Sequence, residues 1–157
     1  AIASATVSGS AATSMTTSTF SLAAAGGRIR VEVDLKNALT STRTAALTYN
    51  ADTTAAHYES QRQLTSGNSI VAARSNDGII LQFLSSECLS ANFYIRTNLA
   101  GNPYVVSGSA ARDSGTNLGI YLFAHWWNST ADVVSMTLTA DAASTLAVGS
   151  TIRVYST

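Results

Sequence analysis

Leu118-Gly119-Ile120-Tyr121-Leu122-Phe123-Ala124-His125-Trp126-Trp127 is an almost unbroken apolar run, and the residues after it decide the fold. Val134, Met136 and Leu138 alternate with Ser135, Thr137 and Thr139 over a strand expected at 133–139. A loop follows at 141–149, and then Ile152 and Val154 alternate with Thr151, Arg153 and Tyr155. Period-two alternation sends one set to a buried face and the other toward water. The chain therefore ends in two amphipathic strands after a wide apolar strand that carries both tryptophans, the seam of a β-sandwich. Adjacent residues of a strand face opposite ways, so one of Trp126 and Trp127 belongs to the core. The other is exposed, in a subunit contact or free to stack on a sugar ring.

The same pattern extends toward the N-terminus. Ile29, Val31, Val33 and Leu35 alternate with Arg28, Arg30, Glu32, Asp34 and Lys36, whose mixed signs suit cross-strand ion pairs. Leu47 and Tyr49 point together in a strand at 45–49, which runs into the turn-forming cluster Asn50-Ala51-Asp52-Thr53-Thr54. Residues 55–64 suit one or two helical turns or an irregular strand carrying Tyr58, and Ser66-Gly67-Asn68 is a turn. Asn76-Asp77-Gly78 between the apolar runs 69–74 and 79–84 predicts a β-hairpin, because a tight type I′ turn needs residues that tolerate positive φ. A further strand is expected at 91–97. Residues 107–115, small and polar, read as a loop after a short pairing at Tyr104-Val105-Val106.

Strands recur about every ten residues with no amphipathic helix between them, which argues for an all-β sandwich or jelly roll. Residues 1–27 are nearly all Ala, Ser, Thr and Gly and are expected as an extended arm, floppy or laid across a neighbouring subunit, with a possible edge strand at Thr19–Leu22. Residues 28–157 are expected as the sandwich.

Composition narrows the function classes. With 157 residues the chain is long enough for one sizeable core. Nine basic residues cancel nine acidic ones, so nothing steers the surface toward nucleic acid or an anionic membrane. No apolar run approaches the roughly 20 residues that cross a bilayer as a helix. All basic residues except Lys36 are Arg, a residue favoured in interfaces. Cys88 is the only cysteine and is expected as a small buried hydrophobe.

No motif carries chemistry. His57 and His125 lack the spacing of a metal site, no Gly-x-Ser-x-Gly elbow occurs, and no Gly-rich loop precedes a helix. Neither a cofactor nor a metal is called for. No basic-then-apolar leader is visible at the N-terminus, so the acceptor pattern Asn128-Ser129-Thr130 is expected to be a polar turn rather than a glycan site.

The stretch Tyr49-Asn50-Ala51-Asp52-Thr53-Thr54-Ala55-Ala56-His57-Tyr58-Glu59-Ser60-Gln61 resembles a (F/Y)N-x-D-(T/S)-x3-(N/H)Y-x2-Q segment of small jelly-roll domains in tailed-bacteriophage virion proteins. Those domains close with a Trp-Asn segment and two strands. Here these are similar to Trp127-Asn128, Val133–Leu138 and Ala147–Ser156, with Val148 where Gly or Ala is usual and Ser156 where Gly is common. The resemblance implies a jelly-roll β-sandwich, no active site, and a place on the outer surface of a virion. A chain that is almost only this domain suits a capsid decoration (cement) protein. Such proteins are often homotrimers that bridge subunits of the major capsid protein, with no contact to nucleic acid or membrane. Tyr104, Tyr121, Trp126, Trp127 and Arg153 are the candidate assembly interface. The rival is a receptor- or glycan-binding tail or fibre tip, which needs an exposed Trp or Tyr cluster in a groove. A polysaccharide depolymerase would need convergent acids in a cleft.

Overall fold

The computed structural model describes residues 1–66, 69–83, 85, 87–113 and 118–157; the side chains at 66, 106, 107, 112, 113 and 118 lie outside the description. The protein is all-β and sandwich-like. Its strands are β1 (Ala3–Thr6), β2 (Ser14–Thr16), β3 (Arg28–Lys36), β4 (Arg43–Tyr49), β5 (Tyr58–Ser66), β6 (Ser69–Ser75), β7 (Ile79–Phe83), β8 (Cys88–Thr97), β9 (Pro103–Asp113), β10 (Leu118–Trp127), β11 (Met136–Ala140) and β12 (Thr151–Ser156). They form an eight-stranded sheet, ordered β1-β12-β3-β8-β9-β10-β5-β6, and a four-stranded sheet, ordered β2-β11-β4-β7. Each ladder is antiparallel.

The inward residues follow the expected alternation. Ile29, Val31, Val33 and Leu35 of β3 are fully buried and meet Leu47, Leu81, Phe83, Met136 and Leu138 of the smaller sheet in one core. Each such side chain contributes about 1.5–3 kcal/mol by leaving water. β10 delivers Tyr121, Phe123, His125 and Trp127 inward, and Phe123 meets Phe93 of β8 edge-on at 5.4 Å. Ile152 and Val154 of β12 are buried as well.

Six expectations are corrected. The Asn76-Asp77-Gly78 turn does not close a hairpin. β6 pairs with β5 in the large sheet, while β7 crosses to pair with β4 in the small one. Gly78 does adopt the left-handed backbone the turn chemistry anticipated, with φ of 96°. Burial explains the crossing. Beside β6, Ile79, Leu81 and Phe83 would have no second layer over them, because residues 69–72 of β6 are exposed on both faces; in the small sheet all three are buried. The Ser60 hydroxyl donates to the Gly78 carbonyl and fixes the crossover.

The N-terminal segment is not a free arm. β1 adds to β12 and β2 adds to β11, so one short segment contributes an edge strand to each sheet. Ala3, Val7, Met15, Phe20 and Leu22 are buried, and small neighbours let the backbone approach closely enough to place them. Thr19–Leu22 forms no strand; instead the Phe20 and Leu22 amides donate to the Val134 and Val133 carbonyls.

The region expected as a loop from Ser107 belongs to β9 as far as Asp113, with residues 114–115 outside the description. Small residues fit here because Gly108 lies opposite Phe123, whose ring occupies the space a Cβ would fill. The strand expected from Val133 begins at Met136, so Val133 is buried and Val134 exposed. Cys88 lies on the exposed face of β8, opposite Lys36, rather than in the core. Residues 55–64 take both anticipated forms, a 3-10 turn at Ala55–His57 and then β5. The turn expected at Gly67-Asn68 lies outside the described residues, as does Leu84.

Candidate functional site

The motif residues around Asn50 and Asp52 build an internal lock rather than an exposed site. Asn50 and Ala51 take left-handed φ values of 53° and 56°, which turns β4 back toward β5. The Asn50 side-chain NH2 donates to the Asp132 carbonyl at 2.7 Å, and its Oδ1 accepts from the Val134 and Ser135 amides. Asp52 Oδ1 accepts the Thr54 amide at 2.9 Å, an Asx turn. Its Oδ2 bonds His57 Nδ1 at 2.8 Å and accepts the Trp127 indole N–H at 2.9 Å. Burial works against the Asp52 charge, but the bonds from Thr54, His57 and Trp127 outweigh it and hold the carboxyl well below the usual carboxylate range. The Asn128 amide donates to the His57 carbonyl at 2.7 Å. The two sequence segments that carry the resemblance are therefore bonded to each other.

Behind this lock lies an aromatic cluster. Tyr58 Oη accepts the Tyr49 amide at 3.1 Å and donates to the Asp52 carbonyl at 2.9 Å. The Tyr49 ring meets both His125 and Trp127 at 5.4 Å. His125 is buried, and burial pulls its pKa down to about 3, so its imidazole is neutral. The single Ser60 hydrogen goes to Gly78, so the 3.0 Å contact between Ser60 Oγ and His125 Nδ1 is donated by the imidazole. Ser60 is thus a bridge between a core histidine and a turn. Its hydroxyl proton is committed to a carbonyl, an arrangement that does not activate it as a nucleophile. Among the described residues no three His, Cys, Asp or Glu side chains are placed to hold a metal ion, and no helix is long and apolar enough to cross a membrane.

The outer face of the eight-stranded sheet divides into two halves. On β12, β3 and β8 the face is charged, and its two carboxylates are both paired. Arg30 pairs with Glu32 at 3.0 Å, Arg153 with Asp34 at 3.1 Å, and the Ser90 hydroxyl donates to Asp34 at 2.7 Å. The Arg28 and Arg30 guanidinium groups sit 4.7 Å over the Tyr94 and Tyr155 rings. On β10 the face is apolar, with Ile120, Leu122 and Trp126 47%, 51% and 39% exposed, and Ile70 of β6, 67% exposed, shares this face beyond the polar Gln61, Gln63 and Thr65 of β5.

The five candidate interface residues separate accordingly. Tyr121 and Trp127 are core residues, because they fall on the inward register of β10. The Tyr121 hydroxyl donates to the Gln82 carbonyl at 2.7 Å. Both side chains are enclosed within this chain's own core. Trp126 faces outward with half-buried Tyr104 directly opposite it on β9. Arg153 lies apart from them, tied to Asp34 on the charged half. Sequence reasoning missed Ile120, Leu122 and Ile70; the signal was the apolar character of β10 on both faces, which marks a strand that needs covering twice. Comparison with protein-family models, with curated protein sequences and with solved structures finds no match to this chain.

Proposed function

We propose that this chain is a non-enzymatic structural protein of a tailed-bacteriophage particle: a jelly-roll decoration (cement) protein that self-associates as a homotrimer on the outer head surface and bridges subunits of the major capsid protein. The observation that carries this reading is the outward face of β10. Ile120 and Leu122 stand about half exposed in the middle of a sheet, each forgoing part of the roughly 1.5–3 kcal/mol that burial supplies. Ile70 continues the row of Ile120 across Thr65 to β6, whose outer edge is unpaired in the sheet order. Such a patch suits a second copy of the chain, because no net charge opposes self-contact. The resemblance of the Tyr49–Gln61 and Trp127–Ser156 segments supplies the virion setting, and their mutual lock gives them a structural employment. Many modest contacts repeated over a symmetric head give avidity, which resists internal pressure without catalysis.

Mass measurement of the purified protein, alone and with empty phage heads, tests the proposal. A trimer that binds heads and raises their heat resistance supports it, and the double substitution Ile120→Ser, Leu122→Ser then yields monomers. A monomer that ignores heads overturns it.

A further inference from the structure

Beyond that reading, we propose that the depression beside Trp126 is a binding site for a neutral saccharide, a function separate from assembly. Trp126 lies about 20 Å along β10 from Ile120 at the usual strand rise, and Ala124, on the near side of the site, is the next outward residue after Leu122. Its volume is about 490 Å³, within the range of small-ligand sites. Trp126 is flanked across the sheet by Tyr104 on β9 and Glu59 on β5, so two aromatic rings and a carboxylate stand in one row. One step along β10, Ala124 faces Gln61, and both line the depression with Asn98 from the loop after β8. The ladder register shifts at this point, between Phe123 and His125, which bends the sheet locally and opens the space.

The chemistry of the lining selects the ligand class. A pyranose ring presents an apolar C–H face and a rim of hydroxyls. Trp126 and Tyr104 offer flat apolar surfaces with polar tips at low entropic cost. Gln61 supplies both donor and acceptor. Asn98 Oδ1 accepts the Ala100 and Asn102 amides, so the side chain presents its NH2 outward as a donor. Glu59 supplies acceptor oxygens and is held in place by its ion pair with Arg74. No Lys or Arg is among the lining residues, so an uncharged sugar fits better than a sialylated or phosphorylated one.

Saturation-transfer NMR of the intact protein with maltotriose, cellotriose, mannotriose and triacetylchitotriose tests the site. The expected result is transfer to ring C–H protons of at least one probe, with affinity reduced tenfold or more by Trp126→Ala and by Gln61→Ala. Gln61→Ala keeps the aromatic platform, so a loss there reports hydrogen bonding rather than misfolding. The Ile120→Ser, Leu122→Ser protein is expected to bind sugar like the wild type, which separates this site from the assembly surface. Competition by bacterial surface polysaccharide would place the ligand on cells and its absence would place it among soluble sugars; either retains the site. No transfer to any of the four probes, or undiminished binding by both Trp126→Ala and Gln61→Ala, overturns the proposal.

Discussion

Trp127 donates its indole N–H to Asp52 Oδ2 at 2.9 Å, and this one bond ties the end of β10 to the turn that follows β4, 75 residues away in sequence. The same oxygen binds His57, so a single carboxylate holds a tryptophan, a histidine and its own turn. Hydrogen bonds to an ionised acceptor are the stronger kind. Removing the acceptor leaves a buried indole N–H without a partner.

Asp52→Ala is therefore expected to lower folding stability by about 2–4 kcal/mol, the combined cost of a charged acceptor and a stranded donor. Asp52→Asn keeps one carbonyl oxygen and should lose less. Urea denaturation of the three proteins checks the order. A loss below about 0.5 kcal/mol for Asp52→Ala would mean that the lock is dispensable.

Acid should destabilise the protein in two windows. His125 has a folded pKa of about 3 against an ordinary value of about 6.5. The unfolded chain then binds the extra proton between these values, so stability is full above about pH 6.5 and falls toward pH 3. Between pH 6.5 and 5 the expected loss is about 1–2 kcal/mol. Asp52, with its pKa depressed, acts below about pH 3.9, where the unfolded carboxylate protonates first. Urea midpoints at pH 7, 6 and 5 should fall for the wild type and stay nearly flat for His125→Gln. An equal slope in both proteins would remove His125 from the explanation.

Gly78→Ala should be among the most damaging single-methyl substitutions in the chain. The backbone is left-handed there, and an added Cβ would collide with the main-chain carbonyl of Leu47, which cannot swing aside as a side chain can. A loss of about 2 kcal/mol or more is expected in thermal or urea unfolding. A near-neutral outcome would contradict the crossover between the two sheets.

Cys88 should react in the native state. Its side chain is exposed on the outer face of β8, so Ellman's reagent is expected to titrate one thiol per chain without denaturant. If the thiol reacts only after unfolding, the core position that its residue type suggests is the correct one.

The all-β class was legible because alternation is a local property. Ile29 to Leu35 and Ile152 to Val154 reveal their buried face by spacing alone, and tertiary context did not override it. The splitting of Trp126 and Trp127 to opposite faces was legible for the same reason. The turn chemistry at Gly78 could likewise be read from neighbouring residues.

What the sequence could not decide is which strand lies beside which. The turn at Asn76-Asp77-Gly78 has the same chemistry whether the chain folds back or crosses over. Only the presence of a second layer above β4, and its absence above β6, sends Ile79 to the other sheet. Residues 1–27 show too little apolar mass to predict packing, yet two open sheet edges recruit them through backbone bonds that any sequence can make. Tyr104 and Trp126 look like two unrelated aromatics until ladder register sets them opposite each other. Periodicity resides in the chain, whereas pairing is set by competition among all strands for a limited buried area, and that competition is resolved only in three dimensions.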